Sequence, residues 1–201
     1  MKLPKKYHEI HNYCLILHDH LVLTVDEIEK NDLHNVKINF KDEKEWEEFN
    51  QSEDTIEAMK DFGYVEEYKT LALRQLTIAT LAEFLHFIYE ALKTSEKGKL
   101  SVTYTLLRKP FKEILLLWEW IIVDSDSFFE AYENDSKKFD LTQWELRQKI
   151  KKQLGDVGFE SDMLELDLIC VLLKTRYMVL KAYGINRFIW LQRKSTIRLN
   201  H

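Results

Sequence analysis

His11, Cys14 and His18 stand three and four residues apart, the spacing that lines side chains along one stripe of a helix. Imidazole and thiolate are good zinc ligands, and two from one helix can share an ion, but a zinc centre takes a third and fourth ligand that this stripe lacks. With Ile10, Leu17 and Leu21 around it, the plainer expectation is a helix edge with Cys14 buried as a small hydrophobe. Glu83 and His86 have the Glu-x-x-His spacing of carboxylate-bridged di-iron bundles, with Glu90 farther along. Such a centre needs two of these pairs and two more glutamates, and the chain holds one pair. No metal or cofactor is therefore expected.

Arg108, Lys109, Lys112 and Glu113 flank Pro110 and lead into the most apolar run of the chain. A helix broken at proline leaves backbone groups without partners, and a partly buried arginine beside them has the planar donors to hold a phosphate or carboxylate. The competing expectation is structural: Arg108 paired with an acid of a neighbouring helix, and Lys109 with Glu113 as an i,i+4 pair. Glu119, between Trp118 and Trp120, is expected to be a paired buried acid or to mark a face that reaches solvent, and a small-ligand pocket beside the two tryptophans is a further reading. Arg176, Lys181, Arg187, Arg193, Lys194 and Arg198 alternate with Tyr177, Tyr183, Phe188 and Trp190 in a basic, aromatic cluster. Cations that neutralise phosphates and rings that stack on bases make it a candidate RNA surface, the alternative being a tail that meets an acidic segment or a partner. No Gly-rich phosphate loop, GxSxG, HExxH or CxxC is present, so no catalytic residue is assigned.

Long helices must position these groups. Five glycines and two prolines in 201 residues leave little material for tight turns, while Leu, Lys and Glu dominate. The net charge of -5 argues against a protein that coats nucleic acid or an anionic membrane along its whole surface. Cys14 and Cys170 are far apart and give no disulfide framework, which with the absence of a signal-like start predicts a reducing cytoplasm.

Leu100 to Val123 reads as the central helix, kinked or broken near Pro110; its charged residues interrupt the run before it reaches the roughly 20 apolar residues of a bilayer span, and no membrane is expected. Ahead of it, Ile10, Tyr13, Cys14, Leu17, Leu21, Val25 and Ile28 mark one face of a first amphipathic helix. Asp42 to Glu67 carries eleven acids against two lysines, a local charge of -9, with Asp42 and Glu45 patterned as a capping box. Tyr64 to Thr94 runs without Gly or Pro, more than about 40 Å if helical. Later helices are expected from Ser127 to Asn134, from Thr142, and from Ser161 or Asp162 to a stop at Gly184.

The order of a long amphipathic helix, the segment TYTLLRKPFKEILLLWEW and the late helix TRYMVLKAY resembles the HEPN-like all-helical domains of bacterial toxin-antitoxin and defence systems. The resemblance implies a helical bundle in a defence or regulatory setting. Ribonucleases of that kind carry Arg, four to six residues, then His; here Arg176 is followed by Tyr177 through Lys181 without one. The reading is thus an all-α, single-domain bundle over residues 1–184 with a basic tail at 185–201. Its expected role is that of a non-catalytic, bacterial-type cytoplasmic interaction or sensing module that meets a protein partner or forms a homodimer. The alternative is an RNA binder or ribonuclease that uses Arg108, Glu113, Arg176 and the tail.

Overall fold

The computed structural model describes residues 2–134, together with residues 148 and 152. The helix expected from Thr142, the last long helix with Arg176, and the tail with Arg187, Trp190, Arg193, Lys194 and Arg198 lie outside the described residues. Every regular element among the described residues is helical: α1 (His8–Lys30), α2 (Glu43–Asn50), α3 (Thr55–Asp61), α4 (Val65–Glu96), α5 (Leu100–Lys109), α6 (Leu115–Val123) and α7 (Ser125–Asn134).

At 32 residues α4 is the longest, about 48 Å at the usual rise, and α1, α3 and α5 all pack against it. By length and composition alone it is apolar enough to cross a membrane. Its buried positions Leu81, Phe84, Leu85, Ile88 and Leu92 follow three-four spacing and form the core with α6, α1 and α7. Upstream, Leu71, Leu73, Leu76 and Ile78 are only partly buried. The central helix divides likewise. Leu100 and Val102 are exposed and Thr103 is the one buried residue of α5, whereas Leu116 to Ile121 are all buried, Glu119 included. Around Pro110, where a kink or break is expected, the chain forms a π-helical turn over Pro110–Ile114, in which the Leu115 N–H donates to the Pro110 carbonyl five residues back. A turn of that width accommodates a residue with no N–H inside a helical run.

Helix ends follow their local chemistry. Asp42 accepts from the Glu45 N–H at 2.8 Å, and the Glu45 carboxylate reaches back to the Lys41 N–H at 2.6 Å, completing the box one residue earlier than the pattern implies. That backbone hydrogen bond is the main reason the Glu45 carboxyl sits below its usual range. Beneath the acids of α2 and α3 lies a small aromatic cluster, with Phe40 and Phe49 at 5.2 Å and Phe49 and Phe62 at 5.9 Å between ring centres. The α3 terminus closes as a Schellman motif, Tyr64 N–H to Met59 carbonyl at 2.8 Å and Gly63 N–H to Lys60 carbonyl at 3.1 Å, with Gly63 at φ 84°. Gly98 repeats the motif after α4. No atom lies within 4 Å of a Cβ added at Gly63, so the cost of Gly63→Ala is conformational, an expected loss of about 1 kcal/mol measurable by urea unfolding.

Candidate functional site

The residues singled out from the sequence do not converge. Arg108, Lys112 and Glu113 are exposed on α5 and the π turn, whereas Trp118 is 2% exposed with its indole N–H donating to Thr80 Oγ1 at 2.8 Å. Trp120 and Glu119 are also buried within α6. Beside the proline Lys109 forms an interhelical ion pair, reaching Glu83 of α4 at 2.5 Å rather than Glu113 four residues on. The hydrogen bond to Glu83 holds the Lys109 ammonium above the usual lysine range. Glu83 is thereby committed, His86 is exposed, and no group of three potential metal ligands occurs among the described residues.

Helix α1 buries most of the face its periodicity predicts, Cys14, Leu21 and Ile28, and adds two histidines to it. Its inner face is the stripe His11, Cys14, His18, Leu21, Thr24 and Ile28, all buried, with Leu17 and Val25 packed beside it, while Tyr13 is exposed and Ile10 is half-exposed at its edge. The histidines belong to this face, but an apolar count leaves them out. His18 stacks against Tyr89 of α4 with ring centres 5.5 Å apart, and its Nδ1 lies 3.3 Å from Asp19. His11 crosses to the end of α4, where its Nε2 lies 3.1 Å from the Leu92 carbonyl. A carbonyl only accepts, so Nε2 carries a proton there; the Glu96 carboxylate lies 3.9 Å from the same nitrogen, and Nδ1 is buried without a protein partner.

The opposite side of α1 carries Tyr13, Ile16 and Leu23, 42%, 52% and 57% exposed, on one outward stripe. A helix that packs on one side only is ordinarily polar on the other. Here apolar residues occupy both faces.

Where α1 leaves the N-terminal segment, a cavity of about 220 Å³ opens between α1, the end of α4 and α5. Leu3, Tyr7 and Ile10 form one wall, Ala91 and Leu92 another, and Leu107 a third; His11 and Cys14 border it. Two hydroxyls, Ser95 and Thr103, also line it, but both are turned to helix carbonyls: Ser95 to Leu92 at 2.7 Å, Thr103 to Lys99 at 3.2 Å. The lining is therefore apolar in effect. Lys2 is tied to this end through its backbone N–H, 2.7 Å from the Glu96 carbonyl, and Lys6 Nζ lies 4.9 Å from the centre of the Tyr7 ring. The segments on either side of the mouth carry Lys2, Lys5, Lys6, Lys93, Lys97 and Lys99 against Glu9 and Glu96. In a chain of net charge -5 this end is locally basic, opposite in sign to the acidic α2–α3 region.

Comparison of the chain with protein-family models, with curated proteins and with solved structures returns no match.

Proposed function

We propose that this protein is a non-catalytic helical interaction module that acts through protein-protein contacts made by the outer face of α1. The observation that carries the reading is the exposure of Tyr13, Ile16 and Leu23 on a helix whose other side is already packed. Apolar anchors at i, i+3 and i+10 suit a helix laid alongside. The acids of α1, Glu9, Asp19, Asp26, Glu27 and Glu29 against Lys30, favour a partner helix with basic flanks, and the acidic α2–α3 segment adds to that selectivity.

The test places charge on the stripe. Ile16→Lys with Leu23→Lys alters two exposed positions and is expected to leave the melting midpoint nearly unchanged. Size exclusion with light scattering then reads self-association, and a photo-crosslinking residue at Tyr13 reads heterotypic contact in cells. Loss of the dimer or of a discrete adduct in the double variant supports the proposal; full retention of both removes α1 as the interface.

The basic end, with Tyr7 45% exposed and Lys6 Nζ 4.9 Å from its ring centre, favours a second reading, single-stranded RNA binding. A short mixed-sequence RNA that shifts the protein at low salt and is released at moderate salt would displace the first reading.

A further inference from the structure

We propose that the cavity between α1, α4 and α5 is a binding site for a small amphiphilic carboxylate, a single-ring aryl acid or a short-chain fatty acid. Its apolar body would lie against Leu3, Ile10, Ala91, Leu92 and Leu107, with the carboxylate at the lysine-rich mouth. Size sets the first limit. A cavity of about 150 Å³ lined by apolar side chains holds benzene, so the 220 Å³ here admits one substituted ring or a short acyl chain and no long lipid. Polarity sets the second. With Ser95 and Thr103 bonded to helix carbonyls, the interior rewards an apolar body.

Charge sets the third. Lys2, Lys5, Lys6, Lys97 and Lys99 are exposed on the two segments that carry the lining residues Leu3, Tyr7 and Ser95, while Glu96 faces both Lys93 at 3.4 Å and His11 Nε2 at 3.9 Å, so these segments offer an anionic head more cations than acids. The fourth observation is independent of the others: His11, 5% exposed and bordering the cavity, keeps one ring nitrogen with no protein partner. A buried ring nitrogen left unpaired is costly, and a water held in place by the bound ligand would relieve it, the carboxylate itself staying at the mouth. The inference does not rest on the α1 interface, which uses the opposite side of that helix.

The full chain is titrated with phenylacetate, hexanoate and, as the neutral control, benzyl alcohol. Binding is read from backbone amide shifts and from the rate of iodoacetamide alkylation at Cys14, followed by peptide mass spectrometry so that Cys170 is counted separately. Both acids are expected to shift Tyr7, Ala91 and Leu107 and to slow alkylation of Cys14, with benzyl alcohol at least about tenfold weaker. Ile10→Trp fills the mouth from a position 46% exposed and is expected to weaken the acids at least about tenfold at an unchanged melting midpoint. Combined Lys2→Ala, Lys5→Ala and Lys6→Ala is expected to weaken them about tenfold, and Arg108→Ala to leave them unaltered. Equal affinity for acid and alcohol, acid binding indifferent to Ile10→Trp, or no shift with either acid would each overturn the proposal.

Discussion

Phe84→Ala is expected to destabilise the fold by about 3–5 kcal/mol, the largest effect of any change considered. The ring is 0% exposed in the middle of α4 and packs on Trp118 with centres 5.2 Å apart. Its removal loses the transfer of a phenyl group from water and opens a hole that α6 cannot close, because the Trp118 indole is held by Thr80 at 2.8 Å. The denaturant midpoint should fall with the m-value unchanged, and tryptophan emission should shift as the indole surroundings loosen. Arg108→Ala, on the exposed side of α5, should stay within about 0.5 kcal/mol of wild type. A Phe84→Ala protein that unfolds at the wild-type midpoint would show that the core is not where α4 and α6 meet.

Glu133→Gln is the second large effect, and it carries a pH signature. Glu133 of α7 accepts from the Tyr68 hydroxyl of α4 and from Lys60 of α3 at 3.1 Å, so one carboxylate ties three helices together. The Tyr68 hydrogen bond, then Lys60, holds this carboxyl below the usual range, with partial burial opposing. Since the folded value is depressed, the stabilisation is fully present above the unfolded glutamate value, about 4.3, and is lost as pH falls through the lower folded value. Glutamine keeps the shape and removes the charge, so a loss of about 1–2 kcal/mol is expected at pH 7. The difference from wild type should shrink as both are titrated below about pH 4. The Tyr68 phenol is pushed the other way, above its usual range, by burial and by the same carboxylate, so its share is present below about pH 10 and is lost above it. Thermal melts of wild type, Glu133→Gln and Tyr68→Phe from pH 3 to 10.5 give both limbs. A constant gap between wild type and Glu133→Gln down to pH 3 would mean that the carboxylate charge is not what ties α7 down.

The elements were legible where local chemistry decides them. The capping pair at Asp42 and Glu45, the unbroken run that becomes α4 and the helix expected from Ser127, which spans Ser125–Asn134, are written in adjacent residues. Faces were less legible. The periodicity of α1 finds Cys14, Leu21 and Ile28 but also counts Ile10 and Tyr13, which are exposed, and passes over His11 and His18, which are buried because imidazoles that find a carbonyl or a ring across the interface pack as well as an apolar side chain. Leu100 and Val102 count as apolar in any window but remain exposed, since α5 buries only its Thr103 side.

The candidate site shows the same division. That the chain is helical, lacks a catalytic signature and is charged unevenly along its length follows from its composition and order alone, because propensity, capping and local charge act between neighbours in the sequence. Which of Lys109 and Arg108 finds an acid, that Trp118 is spent on Thr80, and that residues as distant as Leu3, Cys14, Ala91 and Leu107 share one cavity were decided only when α1 and α5 packed against the end of α4. Those outcomes depend on how helices are rotated and set against one another, and that is fixed by packing between side chains far apart in the chain.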